Sequence, residues 1–249
     1  MKKIIILFLL LSSFSFGQSL QIDSMFTRES STMNKYIYTI DMKYPKFSFG
    51  PEALMGMNGV AGDMNITVDT VVQSWVKDFK SFFSEFQYDT VFNGMTSELS
   101  SGYNVAYLKN SYVSIEMTYY SFIAGSAHPN HFSYTFNYDY TNKGLLQFSD
   151  LFKADSGYEK FVSSYCYNAL VKQQKKNGME GGEDMVKEGT VFMADNYKNF
   201  TVSDKGITII FNPYQAGPYA IGTQVVTIPK NKISKYIDTA GPLSLWWSN

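Results

Sequence analysis

The sequence predicts an α+β fold, a mostly antiparallel sheet with two amphipathic helices packed on it. Three observations carry that expectation. Short runs alternate apolar and polar residues at period two, and two longer runs repeat apolar residues at three and four. The order along the chain is strands, helix, strands, helix, strands. Aromatic residues make up 17% of the chain, which suits half-buried strands.

Lys2 and Lys3 precede an apolar core from Ile4 to Leu11, and Ser15-Phe16-Gly17 supplies small residues where a signal peptidase reads. Residues 1–17 are therefore expected to be a signal peptide cleaved after Gly17. The apolar run is well short of the ~20 residues that cross a bilayer. With no cysteine after it, the mature protein is expected to be exported without a lipid or transmembrane anchor, periplasmic or extracellular. Residues 18–34 are polar and Ser/Thr-rich, and read as a flexible lead-in.

Tyr36, Tyr38, Ile40, Met42 and Tyr44 alternate with Ile37, Thr39, Asp41 and Lys43, a strand expected to end at Pro45. Glycines at 50, 56, 59 and 62 mark 47–63 as a loop. Val68, Val71, Val72, Trp75, Val76, Phe79, Phe82, Phe83 and Phe86 then form the stripe of a first helix, with Thr67 as N-cap. Strands over 103–109 and 112–122 flank Asn110-Ser111 as a hairpin. A loop, 124–131, holds both histidines, and 132–140 alternates again before the Asn142-Lys143-Gly144 turn.

Tyr158, Phe161, Val162, Tyr165, Cys166, Ala169 and Leu170 give the second helical stripe, capped by Asp155 or Ser156 and closed by Lys172, Lys175 and Lys176 before Asn177-Gly178. Cys166 is the only cysteine, so no internal disulfide can form, and its place on this stripe makes it a buried, inert thiol. Residues 178–189 read as a mobile surface loop. Asp204-Lys205-Gly206 turns a hairpin between 200–203 and 207–211, and a Pro/Gly-rich loop over 212–222 precedes a last strand stopped by Pro229. Trp246-Trp247 is expected to dock on the core or mediate contacts.

Three stretches together resemble a known family. These are Tyr36–Pro45 with the helix from Asn65 to Phe86, the loop Gly125-Ser126-Ala127-His128, and Asn212-Pro213-Tyr214-Gln215-Ala216-Gly217-Pro218-Tyr219-Ala220 followed by Val226-Thr227-Ile228-Pro229. In this order they are similar to paired uncharacterised exported domains of the DUF4163/DUF3298 type. Such pairs form the extracytoplasmic part of lysozyme-sensing anti-sigma factors and precede the catalytic domain of some peptidoglycan deacetylases. The resemblance implies an N-terminal module over 35–133 and a C-terminal module over 134–249, packed as one body. It also implies a non-enzymatic binding role in the cell envelope, with a lysozyme-like protein or a peptidoglycan fragment as partner. Ser126 stands where the family loop usually has a second glycine, and Gln215 where an acidic residue is common.

A formal charge of -1 gives no electrostatic footprint for nucleic acid. The candidate ligand-binding residues are Tyr119, Ser126, His128, His131, Tyr214 and Tyr219. The tyrosines offer flat apolar faces with a polar tip, suited to interfaces or sugar stacking. His128 and His131 would need a carboxylate such as Glu116 or Asp139 to hold a metal, and no third imidazole or thiolate completes a set, so no metal and no cofactor is expected. Ser126, His128 and Asp150 could be assembled into a nucleophilic relay, but the Gly-x-Ser-x-Gly elbow is absent. The alternative to a binding module is a hydrolase acting on a cell-wall or glycan substrate through the His128 loop.

Overall fold

The computed structural model describes residues 20–246 apart from 52, 54, 143 and 180. The expected signal peptide and Trp247 lie outside the described residues. The fold is α+β, with mostly antiparallel sheets.

The first sheet is six-stranded, in the order β1 (Leu20–Met33), β2 (Tyr36–Phe49), β3 (Thr96–Lys109), β4 (Tyr112–Phe122), β5 (Asn130–Asp139) and β6 (Gly144–Leu145). All neighbours pair antiparallel except β2 and β3, which run parallel. From Leu20 to Met33 the expected flexible lead-in is thus an edge strand. Its Ser/Thr-rich sequence hid it because a strand with one exposed face and one free edge needs few apolar residues. Pro45 does not end β2: it pairs with Ser24 of β1, beyond the Ile37–Met42 stretch that β3 covers, so the ladder to β3 does not require its missing N–H. Asn110 and Ser111 both adopt positive φ, as a tight hairpin between β3 and β4 demands.

The connection from β2 to β3 runs through α1 (Met57–Glu85), which starts eleven residues before Val68, where its apolar stripe begins. Gly56, at φ 96, is the N-cap, and Met57, Val60, Ala61 and Met64 extend the buried face. The glycines at 59 and 62 therefore lie inside the helix. Thr67 is interior too, its hydroxyl donating to the Asp63 carbonyl one turn back. Val68, Val72, Trp75, Phe79 and Phe83 are buried against the sheet as expected, with Phe83 stacked on Tyr38 at 5.3 Å.

The second module holds α2 (Tyr158–Lys176), α3 (Glu183–Thr190), and a three-stranded antiparallel sheet of β7 (Phe200–Ser203), β8 (Gly206–Phe211) and β9 (Gln224–Pro229), followed by one turn, α4 (Lys230–Ile233). Gly157, not Asp155 or Ser156, occupies the N-cap of α2. The expected mobile loop after α2 contains α3 instead, held by the burial of Val186 and Thr190, with Glu183 paired to Lys175 at 2.8 Å. Cys166 is fully buried in this module's core. Trp246 docks on the same core, and its indole N–H donates to the Ser203 carbonyl at 3.1 Å.

The two modules share a polar seam. β7 is an edge strand, and the backbone it would leave unpaired is satisfied by side chains from β4 and β5. Ser114 accepts the Val202 N–H at 3.0 Å, and Thr135 accepts the Phe200 N–H at 3.0 Å. The Asn137 carboxamide donates to the Phe200 carbonyl at 2.8 Å. β5 therefore buries both faces, its aromatics on one side and its small polar residues on the other. A module boundary between 133 and 134 would cut this strand. The first core cluster runs on to Tyr140, and the second takes up the chain at Phe148 while borrowing Tyr107 and Tyr112 from the hairpin.

Candidate functional site

The histidine loop leaves β4 after Phe122 and returns into β5 at Asn130. Its start is fixed from below: the Ala124 N–H donates to the buried Ser97 hydroxyl at 3.0 Å. Gly125 has φ 91, and a Cβ there would lie 2.3 Å from the Phe92 ring. Only glycine fits the bend as built. Ser126 is exposed and its hydroxyl donates to the carbonyl of His128 at 3.2 Å. The His128 Nδ1 lies 2.9 Å from the Pro129 carbonyl, which fixes that nitrogen as the donor.

The second loop, 212–222, is held by side-chain amides. Asn212 pairs with both backbone groups of Ser133, accepting its N–H at 2.8 Å and donating to its carbonyl at 2.9 Å. Gln215 uses both ends of its amide: Oε1 accepts the Asn212 N–H at 3.2 Å, and Nε2 donates to the Asn196 carbonyl at 2.8 Å. A carboxylate could take only the first of these bonds, which accounts physically for an amide at this position. Gly189 of α3 backs the loop so closely that a Cβ would come within 2.2 Å of the Gln215 carbonyl oxygen.

The two loops meet. The imidazole of His128 lies on the Tyr219 ring at 3.8 Å, the planes 21° apart. Tyr219 donates its hydroxyl to the Pro129 carbonyl and lies 3.4 Å from Nδ1 of His131. Tyr214, at φ 70, is held out into solvent at 60% exposure and leans on Tyr219 at 5.6 Å. Tyr119, His131, Phe132, Pro213, Tyr214 and Tyr219 are among the walls of a recess of about 250 Å³. The structure thus brings together Tyr119, His128, His131, Tyr214 and Tyr219, with Ser126 at the outer turn of the loop. Tyr119 doubles as core, stacked on Phe132 at 4.3 Å and edge-on to Trp75 at 5.3 Å, and burial raises its hydroxyl pKa.

The catalytic and metal alternatives find other partners. Asp150 closes a capping box with Gln147, accepting its N–H at 2.8 Å, and no hydrogen bond joins it to His128. Ser126 bonds the backbone of His128, not its ring. Glu116 accepts from Ser133 at 2.6 Å, and Asp139 accepts from Thr141 and Asn142. Among the described residues no group of three His, Cys, Asp or Glu is placed to hold a metal ion.

Reading the sequence left one feature of this region unseen. Between β5 and the second module lies a larger cavity of about 600 Å³, walled by Phe132, Tyr134, Leu145, Phe148, Phe192 and Tyr197 among others. Its only signal was the small uncharged set Ser114, Ser133, Thr135 and Asn137, which marks a buried polar face when it recurs on paired strands.

The fold and the meeting of its loops define a pair of α+β modules joined through side-chain-to-backbone bonds. Comparison with known proteins gives the pair its relatives. Residues 31–131 match the family described as "Deacetylase PdaC" and residues 149–231 the family described as "Protein of unknown function (DUF3298)". The first half of the chain is thus similar to PdaC-type domains and the second to DUF3298 domains. It is 29% identical over 149 residues to peptidoglycan-N-acetylmuramic acid deacetylase PdaC of Bacillus subtilis, across 58% of this chain and 31% of that protein. It therefore spans about a third of the length of that relative. Two crystal structures of DUF3298 family proteins share the fold. One, from Bacteroides fragilis, superposes with a TM-score of 0.58 at 18% identity, covering 89% of this chain and 94% of the other. The second, from Pseudomonas aeruginosa, gives 0.60 at 13%, covering 88% and 95%. No helix among the described residues is long and apolar enough to cross a membrane.

Proposed function

We propose that this protein is an exported, non-enzymatic binding module of the cell envelope, and that the joined loops are its docking surface. The ligand is a lysozyme-like protein or a peptidoglycan fragment. One observation carries the reading: the His128–Tyr219 stack locks two loops from different modules into one aromatic surface, with Tyr214 held out at 60% exposure. A side chain kept exposed at a strained positive φ costs free energy that its own packing does not return, which is the usual mark of a recognition residue. The likeness to a peptidoglycan deacetylase supports an envelope ligand. The signal peptide expected from residues 1–17 supports the compartment.

Isothermal titration calorimetry with a c-type lysozyme and with muropeptides tests the reading. Binding to one of them, weakened at least tenfold by Tyr214→Ala with the fold intact, is the expected result. Heat from neither titration overturns the choice of ligand.

A further inference from the structure

The geometry points to a second binding site, in the cavity between β5 and the second module, for an uncharged ligand carrying a secondary amide on a largely apolar body. The inference deepens the envelope-binding reading but rests on different residues from the docking surface.

Three observations meet in this cavity of about 600 Å³. The first is Asn199, which lines it and is 7% exposed, yet whose carboxamide has no hydrogen-bond partner among the described residues. Among the described residues the buried side-chain polar atom without a partner is Ser156 Oγ, so the amide of Asn199 is open to the cavity and free to bond a guest there. The second is the edge of β5. Ser133 directs its N–H and carbonyl away from β4 and onto Asn212, and the Asn137 carbonyl accepts the Leu146 N–H at 2.8 Å. In an antiparallel strand alternate residues point to the same edge, so Thr135 presents its N–H and carbonyl there as well. Among the described residues no strand covers that position, since β6 pairs with Tyr138 and Asp139. Thr135 is also only 7% exposed, and it also lines the cavity.

The third observation is the wall. Phe148 and Tyr197 lie 5.4 Å apart at 26°, and Phe192 and Tyr197 lie 5.0 Å apart at 23°, a continuous aromatic surface. The charged lining residues, Asp195 and Lys198, pair with each other at 3.7 Å, so the site offers no net charge to an ion. The unmet groups are thus two donor–acceptor pairs, one a strand-edge peptide and one a carboxamide, beside aromatic faces. A secondary amide has the one donor and one acceptor that such a pair matches. An acylated amino sugar and a short blocked peptide both carry that group, and both have apolar faces that lie on aromatic rings.

The test is nitrogen-resolved NMR titration of the chain that follows Gly17, using three probes. These are N,N′-diacetylchitobiose, N-acetyl-phenylalanine methylamide, and cellobiose as the sugar without amides. The expected result is saturable shifts of the Thr135 backbone N–H and the Asn199 side-chain NH₂ with either amide probe and none with cellobiose. Which amide probe acts tells the sugar source from the peptide source. Asn199→Leu, close in size and unable to bond, is expected to weaken that binding about tenfold, while Tyr214→Ala leaves it unchanged. Equal shifts with cellobiose, no shifts at Thr135 and Asn199 with either amide probe, or unaltered affinity in Asn199→Leu overturn the inference. If Asn199→Leu does not fold, the comparison of amide probes with cellobiose on the unaltered chain decides. Loss of lysozyme binding in Tyr214→Ala, with the chitobiose shifts intact, separates the two sites.

Discussion

The Asn137 carboxamide reaches from the first sheet to the carbonyl of Phe200 in the second, at 2.8 Å, while its oxygen accepts from Tyr112 and Ser114. One buried side chain thereby joins three strands and both modules.

Replacing it with alanine strips the Phe200 carbonyl and two hydroxyls of their partner. Asn137→Ala is expected to cost about 3 kcal/mol, several times the cost of a surface change. Urea denaturation followed by tryptophan fluorescence measures it. Trp75 reports the first core and Trp246 the second, so loss of the seam should also broaden or split the transition.

Tyr219 closes the histidine loop with a ring contact and a hydroxyl bond. Tyr219→Phe removes only the bond, and amide hydrogen exchange over 124–131 is expected to quicken by about tenfold, corresponding to ~1.4 kcal/mol of local opening. Tyr219→Ala should quicken it further. An unchanged exchange rate in both would show that the loop is held from the Ser97 side alone.

Gln215→Glu places a carboxylate oxygen against the Asn196 carbonyl where an N–H now donates. The expected loss is about 1–2 kcal/mol at neutral pH, with partial recovery at low pH as the new acid protonates and can donate again. Thermal melts at pH 7 and pH 4, each set against the parent chain, check the sign.

Burial pushes the Cys166 thiol from 9.0 up to about 12. The folded state thus holds this proton more tightly than the unfolded chain does. Its contribution is complete below pH 9, and is lost as pH rises from there toward 12. Native protein is expected to resist iodoacetamide at pH 8 and to react at once in urea. Fast native alkylation would place the thiol outside the core.

Glu29 bonds Lys80 at 2.6 Å and accepts from Tyr38, and both contacts hold its carboxyl below the usual 4.5. A lowered folded pKa means the contribution is present above about pH 4.5 and fades as pH falls through the folded value. The pair is about a third exposed, so Lys80→Met should cost under ~1 kcal/mol at pH 7, with the difference from the parent narrowing by pH 3. A difference that grows on acidification would contradict the assignment.

The apolar periodicities were legible because burial alone sets them. Val68 to Phe83, Tyr158 to Leu170 and Tyr112 to Phe122 stand where their patterns place them. What could not be read was structure set by partners. β1 carries few apolar residues and forms because β2 lies beside it. Residues 57–66 are helical because Met57, Val60 and Met64 find the sheet, despite two interior glycines. The small polar residues of β5 look like a solvated face until β7 is laid across them. At the candidate site the residues and the two loops were legible. The stack of His128 on Tyr219 was not, since it joins positions 91 apart in sequence, 128 and 219.

The parallel pairing of β2 with β3 sets an order of assembly. Ile37 finds Thr96 only after the whole of α1 has been gathered between them, a large entropic demand on a growing nucleus. The β3–β4–β5 meander closes through a tight turn and the histidine loop, both local in sequence, and can form first, presenting a template on which the N-terminal hairpin docks late. Substitutions at Ile115 or Phe136 are therefore expected to slow refolding, and those at Tyr38 or Ile40 chiefly to hasten unfolding. If the chain is exported unfolded, as proposed above, such an order keeps its leading end extended until the middle has emerged.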